Sequence, residues 1–324
     1  MTMRPLEGAR VTVAGATGFI GTNLLPELLQ AGAQVKAVTH SRPPQFSDTE
    51  VDFVQADLTT AEGCRMAVED TDIFVMAAAN SSGAQVMASK PLTHLTPNIV
   101  MNALTLEAAY EAGVSKYCFI SSNTVYPPGS KAMTENDTTG EFFDSYKVVA
   151  GMKLYSEQMV QHYSAMNADS MATLIIRPAN LYGPFDKFNP SESKVIPALI
   201  RRAIEKEDPF VVWGDGRDIK DFLYISDFVS GLVKSLSLDS RHEIINVASG
   251  ESVSLREIVP KILIAAGHES AKVVFDSDKP TMIPVRKISS LKAKNLLAWE
   301  AAVSIDEGIR RTVDWFRNQL SQPA

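Results

Sequence analysis

The sequence contains little cysteine, with only Cys64 and Cys118 among 324 residues. Both stand in apolar or helical surroundings, which argues against a disulfide framework and against a Cys-based metal site. The five histidines show no HxxxH or comparable ligand spacing. We therefore predict that the protein holds no metal.

The chain also lacks a strong excess of charge of one sign and lacks long hydrophobic runs. Its 31 basic and 38 acidic residues give a net charge of −7, with no long run of Lys or Arg, which argues against a nucleic-acid or membrane-surface partner. The N-terminal segment "MTMRPLEGARVTVAG" has no apolar signal sequence, and no apolar stretch approaches a bilayer span. With 45% hydrophobic and 21% charged residues, the composition is typical of a globular enzyme, and we predict a cytoplasmic one.

Residues 10–42, "RVTVAGATGFIGTNLLPELLQAGAQVKAVTHSR", have the outline of a βαβ unit. A strand is predicted over 10–14, an amphipathic helix runs to about Ala31, and "AQVKAVTH" supplies a second strand. Glycines stand between the first strand and the helix. Gly15 permits a tight turn, Gly18 lets the backbone approach a pyrophosphate, and Gly21 lets helix and sheet pack closely. The pattern predicts dinucleotide binding, and the alternative is a glycine-rich turn without a ligand.

The end of the second strand indicates which dinucleotide binds. An NAD site usually has Asp or Glu there for the ribose hydroxyls, whereas this chain has "THSRPP". Arg42, helped by Ser41 and His40, is suited to a 2′-phosphate. NADP is therefore favoured over NAD. The alternative is that Arg42 is a solvated loop residue and that NAD is accepted.

Further apolar segments alternate with helical ones along the chain. "QADLTT" follows a third strand, and its Asp57 is placed to accept a hydrogen bond from an adenine amino group. "DIFVMAAAN" (72–80), "CFISSNTVYPP" (118–128) and "ATLIIRPANLYGP" (172–184) read as the fourth, fifth and sixth strands. This alternation predicts an α/β fold with a doubly wound parallel sheet.

Several motifs now fit one family: "GATGFIG" (15–21), "SSNTVYP" (121–127), "RPANLYGP" (177–184), "VIPALIRRAI" (195–204), "VWGDGRDIKDFLYISDFV" (212–229) and "LKAKNLLAWE" (291–300). The chain resembles the extended short-chain dehydrogenase/reductases of the NAD-dependent epimerase/dehydratase group, which act on nucleotide sugars. Its pattern is most similar to the GDP-fucose synthase branch. The resemblance covers nearly the whole chain.

The resemblance implies a Rossmann domain over residues 1–178 and about 220–248, and a smaller nucleotide-sugar-binding lobe over 179–219 and 249–324. It also implies a cofactor site and a substrate site. The cofactor-site residues are Gly15, Thr17, Gly18, Phe19, Ile20, Gly21, Arg42, Asp57, Leu58, Ala77, Ala78, Asn98, Lys153 and Pro178. The substrate-site residues are Asn180, Val195, Trp213, Lys220 and Arg286.

Two of the substrate-site residues also have an ordinary structural explanation. Trp213 is equally consistent with a core residue, and Lys220 with a solvated surface charge. Lys220 stands where the family usually has arginine, and an ammonium cannot fork two phosphate oxygens as a guanidinium does.

The family's chemistry is hydride transfer at a sugar carbon, with a tyrosine as acid/base and a lysine four residues later on the same helix face. A glutamate commonly follows that lysine by four positions, as Glu157 follows Lys153 here. Counting back four from Lys153 gives Val149, which cannot exchange a proton. The hydroxyl motif is intact, because Ser122 and Thr124 lie four and two residues before Tyr126.

Three explanations for the missing tyrosine remain open. Tyr146 or Tyr126 could substitute for it, or a desolvated Lys153 with a lowered pKa could handle the proton. Alternatively, the protein keeps its ligands and has lost or changed its reaction. Apart from these three explanations, the valine could be an engineered change, which one sequence does not reveal. The two leading hypotheses are an epimerase or 4-keto reductase with altered activity, and a non-catalytic NAD(P)- and nucleotide-sugar-binding sensor or subunit.

Two absences narrow the reaction that the resemblance implies. Phe185 and Thr124 stand where the GDP-fucose synthase pattern has the histidine and cysteine of 3,5-epimerisation, so we predict none. Asn123 and Thr124 replace the Asp-Glu pair of the 4,6-dehydratases, which argues against dehydration. What remains is 4-epimerisation if the cofactor is recycled in place, or 4-keto reduction if it exchanges.

The family resemblance also implies a homodimer, formed through residues 98–112 and 144–165. The apolar spacing of Val148, Met152, Tyr155 and Met159 suits such a face, although packing within one chain explains it equally well. The sequence does not identify the nucleotide base, the sugar or the stereochemical outcome.

Overall fold

The computed structural model describes residues 3–46, 48–81, 91–166, 171–279 and 283–321, and they form an α/β architecture. Seven strands form one parallel sheet in the order β12-β7-β5-β4-β1-β2-β3. These strands are β1 (Arg10–Ala14), β2 (Gln34–Thr39), β3 (Val51–Gln55), β4 (Ile73–Met76), β5 (Lys116–Ile120), β7 (Ala172–Pro178) and β12 (His242–Val247). The predicted doubly wound Rossmann sheet is confirmed.

The helices flank this sheet and build the region that follows it. Those among the described residues are α1 (Phe19–Gln30), α2 (Ala61–Val68), α3 (Thr96–Glu111), α4 (Lys147–Ala165), α5 (Val195–Ile204), α6 (Ile225–Leu236), α7 (Leu255–Ala265), α8 (Leu291–Leu297) and α9 (Ile305–Ser321). Short 3₁₀ turns are found at Pro91–His94, Asn123–Val125 and Asp144–Tyr146. Among these helices, none is both long enough and apolar enough to span a bilayer.

The two faces of the sheet carry separate hydrophobic clusters, because successive strand side chains point in opposite directions. In β4, Val75 packs on one face and Phe74 on the other. The first cluster includes Leu24 of α1 and Phe228 of α6, and the second includes Leu106 of α3. The sheet is therefore the middle of three layers.

A third hydrophobic cluster lies in the lobe formed by α5, α7, α9 and short strands. These strands are β6 (Ala132–Met133), β8 (Asn180–Tyr182), β9 (Phe210–Trp213), β10 (Ile219–Lys220), β11 (Phe222–Tyr224), β13 (Val253–Ser254), β14 (Val273–Asp276) and β15 (Val285–Ile288). They form a four-stranded sheet, β13-β10-β15-β6, and two pairs, β11-β8 and β14-β9. The predicted domain boundaries stay a prediction, and the segment 288–299 contributes Ile288 and Trp299 to the first cluster of the main sheet.

The strand order changes direction between β1 and β4. From β1 the chain builds outward through β2 and β3, and then crosses to β4, β5, β7 and β12 on the other side. In open parallel sheets, ligands bind beyond the carboxyl ends of the strands at such a switch point. We therefore expect a ligand site at the turns that follow β1, β4 and β5.

The segment predicted as one sixth strand, 172–184, is in fact two. β7 ends at Pro178 in the main sheet, and β8 begins at Asn180 and pairs with β11 in the lobe. The backbone N–H of Ala179 still bonds to Val247, whereas that of Asn180 bonds to Asp221. The chain thus passes from sheet to lobe within two residues, next to the exit of β5.

Candidate active site

The turn between β1 and α1 is built on glycines whose positions leave no room for a side chain. Gly15 has φ +80°, and a Cβ there would lie 2.6 Å from Ala78 Cα. A Cβ at Gly21 would lie 2.4 Å from the carbonyl oxygen of Gly15. Gly18 is the N-cap residue of α1, whose N-terminus has no side-chain cap and no acidic residue in its first turn. The backbone N–H groups there suit a phosphate.

The other predicted residues of this turn are partly buried; they are Thr17, Phe19 and Ile20. Ala77 and Ala78, at the exit of β4, form the opposite wall of the turn, because Gly15 packs directly on their backbone. The structure thus brings together the glycine turn and the end of β4, as expected for a pyrophosphate cradle.

Asn98 of α3 is buried, and both N–H groups and the oxygen of its amide make hydrogen bonds within the chain. Nδ2 donates to the carbonyl oxygens of Asn80 at 3.0 Å and His94 at 2.7 Å, and Oδ1 accepts from the backbone N–H of Asn80 at 2.7 Å. These bonds fix the loop that leaves β4. Asn98 therefore holds this loop in place, and its predicted contact with a cofactor stays a prediction.

The predicted adenosine end is the open side of the site. Arg42 follows β2, is exposed, and has no salt bridge to any residue in the described parts of the chain. The Oδ1 atom of Asp57 accepts hydrogen bonds from the Thr59 N–H at 2.9 Å and from the Thr59 hydroxyl at 2.7 Å. These bonds hold the pKa of Asp57 below its usual value, with a smaller contribution from His40. Leu58 is buried.

At the exit of β5, two hydroxyls and an ammonium group come together. The Thr124 hydroxyl donates to Ser122 Oγ at 2.9 Å, and Ser122 caps the 3₁₀ turn that carries Thr124. This turn packs against α4. Lys153 of α4 donates from Nζ to the Ile120 carbonyl at 2.8 Å and lies 4.6 Å from the centre of the Phe119 ring. Burial lowers the pKa of Lys153 to about 8, although Glu157 acts in the opposite direction.

Val149 and Tyr146, near the start of α4, differ in their ability to exchange a proton. Val149 is partly buried in the first turn of the helix, one turn before Lys153. Tyr146 ends the preceding 3₁₀ turn and is also partly buried, and burial raises the pKa of its phenol above the usual value. Val149 carries no group that exchanges a proton, whereas Tyr146 does.

Tyr126 is not placed to replace the missing tyrosine. It is completely buried, and its hydroxyl donates to Asn246 Oδ1 at 2.5 Å and accepts from Arg177 Nη1 at 3.1 Å. Desolvation raises its pKa to about 12 in spite of the nearby Arg177. A phenol held in this way has a structural role, and its burial prevents contact with a substrate.

A buried polar network lies under the lysine and hydroxyls. Arg177 Nη2 and Glu157 Oε2 form an ion pair at 2.6 Å, and Arg177 Nε donates to Glu157 Oε1 at 3.0 Å. Ser121 also donates to Glu157, and Asn123 Nδ2 donates to the Pro178 carbonyl at 3.0 Å. Together they tie α4, β7 and the hydroxyl motif into one unit.

Sequence reasoning used Glu157 only as a register marker and did not foresee Arg177 and Ser121 as its partners. The signal that could have found them is the charge of Arg177 near the end of a buried and otherwise apolar strand. A buried arginine needs a carboxylate partner, and Glu157 is the carboxylate on the helix that covers β7.

The predicted sugar-nucleotide residues lie in the lobe, with different degrees of access. Lys220 pairs with Asp218 at 2.9 Å and donates to the Ile283 carbonyl at 3.0 Å, so its charge is largely engaged. Asn180 Nδ2 donates to the Asp221 carbonyl at 2.8 Å. Trp213 is 48% exposed, which rules out the alternative of a core residue. Val195, the first residue of α5, is partly buried against the lobe cluster.

Arg286 lies beside Lys220 in adjacent strands but is only 1% exposed. Its terminal nitrogens donate to the carbonyl oxygens of Tyr126 and Pro127, each at 3.0 Å. Its Nε has no partner among the described residues, and burial lowers its pKa to about 10. The guanidinium thus links β15 to the loop after the hydroxyl motif.

Among the described residues, no group of three or more His, Cys, Asp or Glu side chains could hold a metal ion. The groups that the site offers to a ligand are the backbone N–H groups beside the glycines, the hydroxyl pair of Ser122 and Thr124, and Lys153, whose pKa is about 8.

Comparison with known proteins supports the same interpretation. The chain is 30% identical to GDP-L-fucose synthase 1 of Arabidopsis thaliana, over 96% of this chain and 94% of that protein. An epimerase from Methanothermobacter thermautotrophicus superposes with a TM-score of 0.86 at 26% identity, covering 97% of this chain and 94% of the other. The complex of MoeE5 with UDP-glucose and NAD superposes with a TM-score of 0.84 at 25% identity, covering 97% and 100%.

The family comparison covers most of the chain. Residues 11–248 match the NAD dependent epimerase/dehydratase family, from β1 to the residue after β12, and so include the glycine turn, the hydroxyl motif, Lys153 and the Arg177–Glu157 pair. This protein belongs to the NAD dependent epimerase/dehydratase family.

Proposed function

We propose that the protein is an NAD(P)-dependent oxidoreductase that reduces or epimerises a nucleotide-activated sugar at C4, at a rate limited by Val149. Its relatives are nucleotide-sugar epimerases and reductases, and the chain is similar to them over nearly its whole length. The observation that carries the proposal is the cluster at the exit of β5, in which Lys153 and the Ser122–Thr124 pair lie on adjoining elements.

The residues present fit a dinucleotide. Side chains at Gly15 and Gly21 would collide with the backbone, and the N-terminus of α1 is free of a side-chain cap and of carboxylates in its first turn. These residues would hold the pyrophosphate, with Ala77 and Ala78 as the facing wall. A bound nicotinamide supplies the donor and acceptor of hydride. Side chains of the protein bind and orient the sugar and transfer the proton at its oxygen.

Lys153 and the hydroxyl pair manage the proton at the sugar oxygen. Ser122 Oγ accepts from the Thr124 hydroxyl, so the hydrogen of Ser122 is available to a sugar oxygen. Within the described segments, Lys153 Nζ donates to one acceptor, the Ile120 carbonyl, and the two remaining N–H groups of an ammonium can point to a ribose or to a sugar oxygen. A pKa of about 8 lets the same nitrogen release and regain its proton near neutral pH.

We expect hydride transfer at C4 without 3,5-epimerisation or dehydration. Phe185 and Thr124 cannot act as carbon acid/base groups, so no 3,5-epimerisation follows, although the relative from Arabidopsis thaliana is a GDP-L-fucose synthase by name. Asn123 is occupied with the Pro178 carbonyl and cannot act in a dehydration. The reaction is 4-keto reduction where the cofactor exchanges and 4-epimerisation where it stays bound.

We favour NADP as the cofactor and a homodimer as the working form. Arg42 is exposed after β2, with no carboxylate at residues 40–42 to accept the ribose hydroxyls. On α4, Val148 is 45% and Tyr155 56% exposed, two apolar side chains seven residues apart on one helix face. Met152 is buried in its own chain and does not contribute to this face.

The test is oxidation of NADPH by the purified protein with 4-keto nucleotide sugars linked to GDP, UDP, dTDP or CDP. We expect slow but measurable oxidation with at least one of them, abolished in Lys153→Met. Silence across the panel, together with saturable binding of NADPH and a nucleotide sugar, would replace this proposal with the second candidate. That candidate, a binding protein without turnover, is favoured by the inert side chain of Val149.

A further inference from the structure

Asp221 is the single residue between β10 and β11, where the chain passes from the four-stranded sheet of the lobe to the β11-β8 pair. It is completely buried, with 0% of its surface exposed. Burying a carboxylate is costly unless hydrogen bonds satisfy both of its oxygens. The partners of Asp221 therefore show which parts of the chain this carboxylate holds together.

The side chain of Asp221 holds the loop that follows β12. Its Oδ1 accepts from the backbone N–H of Ser249 at 3.0 Å and from the Ser249 hydroxyl at 2.8 Å, and its Oδ2 accepts from the backbone N–H of Gly250 at 3.0 Å. Gly250 has φ +77°, a conformation that lets successive N–H groups point to one anion. Burial raises the pKa of Asp221 to about 6, and these hydrogen bonds act against the rise. The carboxylate is therefore ionised at neutral pH.

The backbone of Asp221 holds residues that are predicted to bind a nucleotide sugar. Its carbonyl oxygen accepts from the N–H of Asn180 at 3.0 Å and from Asn180 Nδ2 at 2.8 Å. Its own N–H donates to the Arg286 carbonyl at 3.1 Å. Lys220 is the preceding residue and lies opposite Arg286 in the adjacent strand. The positions of three predicted substrate-site residues therefore depend on one buried residue.

Two of these three residues are accessible to a ligand. Asn180 is partly buried, and the side chain of Lys220 is 15% exposed, with its ammonium 2.9 Å from Asp218. Arg286 is only 1% exposed. A ligand in the lobe can therefore meet Asn180 and Lys220, whereas Asp221 acts on it only through them.

We infer that Asp221 is a positioning residue for the nucleotide sugar, because its carboxylate fixes the loop after β12 against the backbone that places Asn180 and Lys220. The inference rests on the proposed function, since it requires a nucleotide sugar at those two residues. An asparagine at position 221 has one acceptor oxygen and one N–H donor group, so a donor of the loop would face another donor. Residue 221 and the loop would then separate, and the carbonyl that Asn180 binds would move.

Asp221→Asn tests the inference by comparing two ligands of the full chain. The probes are NADPH and four nucleotide sugars, GDP-mannose, UDP-glucose, dTDP-glucose and CDP-glucose, and isothermal titration calorimetry of the native protein selects the sugar that binds best. We expect Asp221→Asn to weaken that sugar about tenfold and NADPH less than about twofold. In the oxidation of NADPH by the best 4-keto sugar, the KM for the sugar should rise while kcat stays level, a split that general destabilisation does not produce.

The matched control is Asp227→Asn. Asp227 of α6 is 6% exposed, and its Oδ2 accepts from the backbone N–H groups of Ala302 at 3.1 Å and Val303 at 2.9 Å. It is therefore also a buried carboxylate that holds a loop, but these bonds lead to the segment before α9. A thermal melt should show comparable destabilisation in the two variants, and Asp227→Asn should keep both affinities.

Ser249→Ala serves as a second variant where Asp221→Asn does not fold. Ser249 is only partly buried, and the change removes a single hydrogen bond of the carboxylate, so we expect the nucleotide sugar to weaken about threefold and NADPH to bind as before. Native affinity for the sugar in the folded variants, an equal loss in Asp227→Asn, or an equal loss for NADPH would each overturn the inference alone. A native protein that binds none of the four sugars would overturn the proposed function together with it.

Discussion

Glu157 and Arg177 form an ion pair of 2.6 Å, with only 3% and 2% of their side chains exposed. The pair joins α4, which carries Lys153, to β7, the second strand from one edge of the sheet. Ser121 donates to the same carboxylate, and Arg177 also donates to the Glu135 carbonyl at 2.8 Å. The position of the lysine at the exit of β5 is therefore set by a buried charge pair one turn further along its own helix.

Replacing one partner of this pair should be strongly destabilising. Glu157→Gln leaves the Arg177 guanidinium buried without its counter-charge, and we expect a loss of about 3 kcal/mol in the free energy of unfolding. Urea denaturation monitored by circular dichroism measures it. The control is Glu300→Gln, which breaks the exposed pair with Lys294 at 2.7 Å and should cost under about 1 kcal/mol. Similar losses in the two variants would show that the buried pair is not special.

Restoring the phenol that the family uses should accelerate the reaction. Val149→Tyr puts an acid/base group one helical turn before Lys153, whose ammonium lowers the phenol pKa, and we expect turnover to rise about 10²-fold. Steady-state oxidation of NADPH by the best 4-keto sugar measures it. Val148→Tyr is the matched control, because it adds the same ring at the neighbouring, exposed position. A fall in turnover in Val149→Tyr would mean that the valine belongs to a different working mechanism.

The pH profile should identify the proton donor of the native protein. In the direction of reduction the donor must be protonated, and burial lowers the pKa of Lys153 to about 8. We therefore expect kcat/KM for reduction to be level below pH 8 and to fall about tenfold per unit above it, with the opposite slope for oxidation. Lys153→Met should abolish the activity, and Lys147→Met, at an exposed position, should not. Burial raises the pKa of Tyr146 above its usual value of 10.0, so a break above pH 10 would assign the proton to Tyr146 instead.

Much of the fold could be predicted because the sheet is parallel and covered on both faces. Its strands are short, almost wholly apolar runs such as 73–76 and 116–120, which are recognisable without knowing their neighbours. The glycines after β1 could be predicted because their spacing between a strand and a helix is a local pattern, whereas the contact of Gly15 with Ala78 is visible only in the structure. The division of 172–184 into two strands could not, because Asn180 turns to a partner, Asp221, that is distant in sequence.

The residues of the candidate site also differ in how far the sequence alone predicts them. Lys153, Ser122 and Thr124 follow from local spacing, and the structure gathers them at one strand exit. The burial of Arg286, whose guanidinium donates to the carbonyl oxygens of Tyr126 and Pro127, depends on a contact between distant segments. The contact of Trp315 in α9 with Phe185, whose ring centres lie 5.2 Å apart, joins segments more than a hundred residues apart, a relationship that no spacing in the sequence records.

Two glycine variants separate the effect of a positive φ on cofactor binding from the effect of a steric clash. Gly15→Ala places a Cβ 2.6 Å from Ala78 Cα, so the wall of the cradle must shift, and we expect NADPH affinity to fall at least about tenfold. Gly113→Ala is the control, since Gly113 has a similar φ of +71° but no atom within 4 Å of the new Cβ. Both variants should lose about 1 kcal/mol of stability from the backbone strain. If Gly113→Ala weakened NADPH equally, general destabilisation would explain both results.

Cofactor preference should depend on the loop after β2. An arginine that pairs with a 2′-phosphate contributes to NADPH and nothing to NADH, so Arg42→Ala should raise the KM for NADPH about tenfold and leave that for NADH unchanged. Arg42 makes no salt bridge within the described segments, so its removal should not disturb the fold, which a thermal melt checks. The control is Arg4→Ala, an exposed arginine whose partner Asp239 lies 3.1 Å away, on the segment before β12. An equal effect of Arg42→Ala on both cofactors would mean that the arginine contacts a part they share, such as the pyrophosphate, and the preference for NADP would then lose its physical basis.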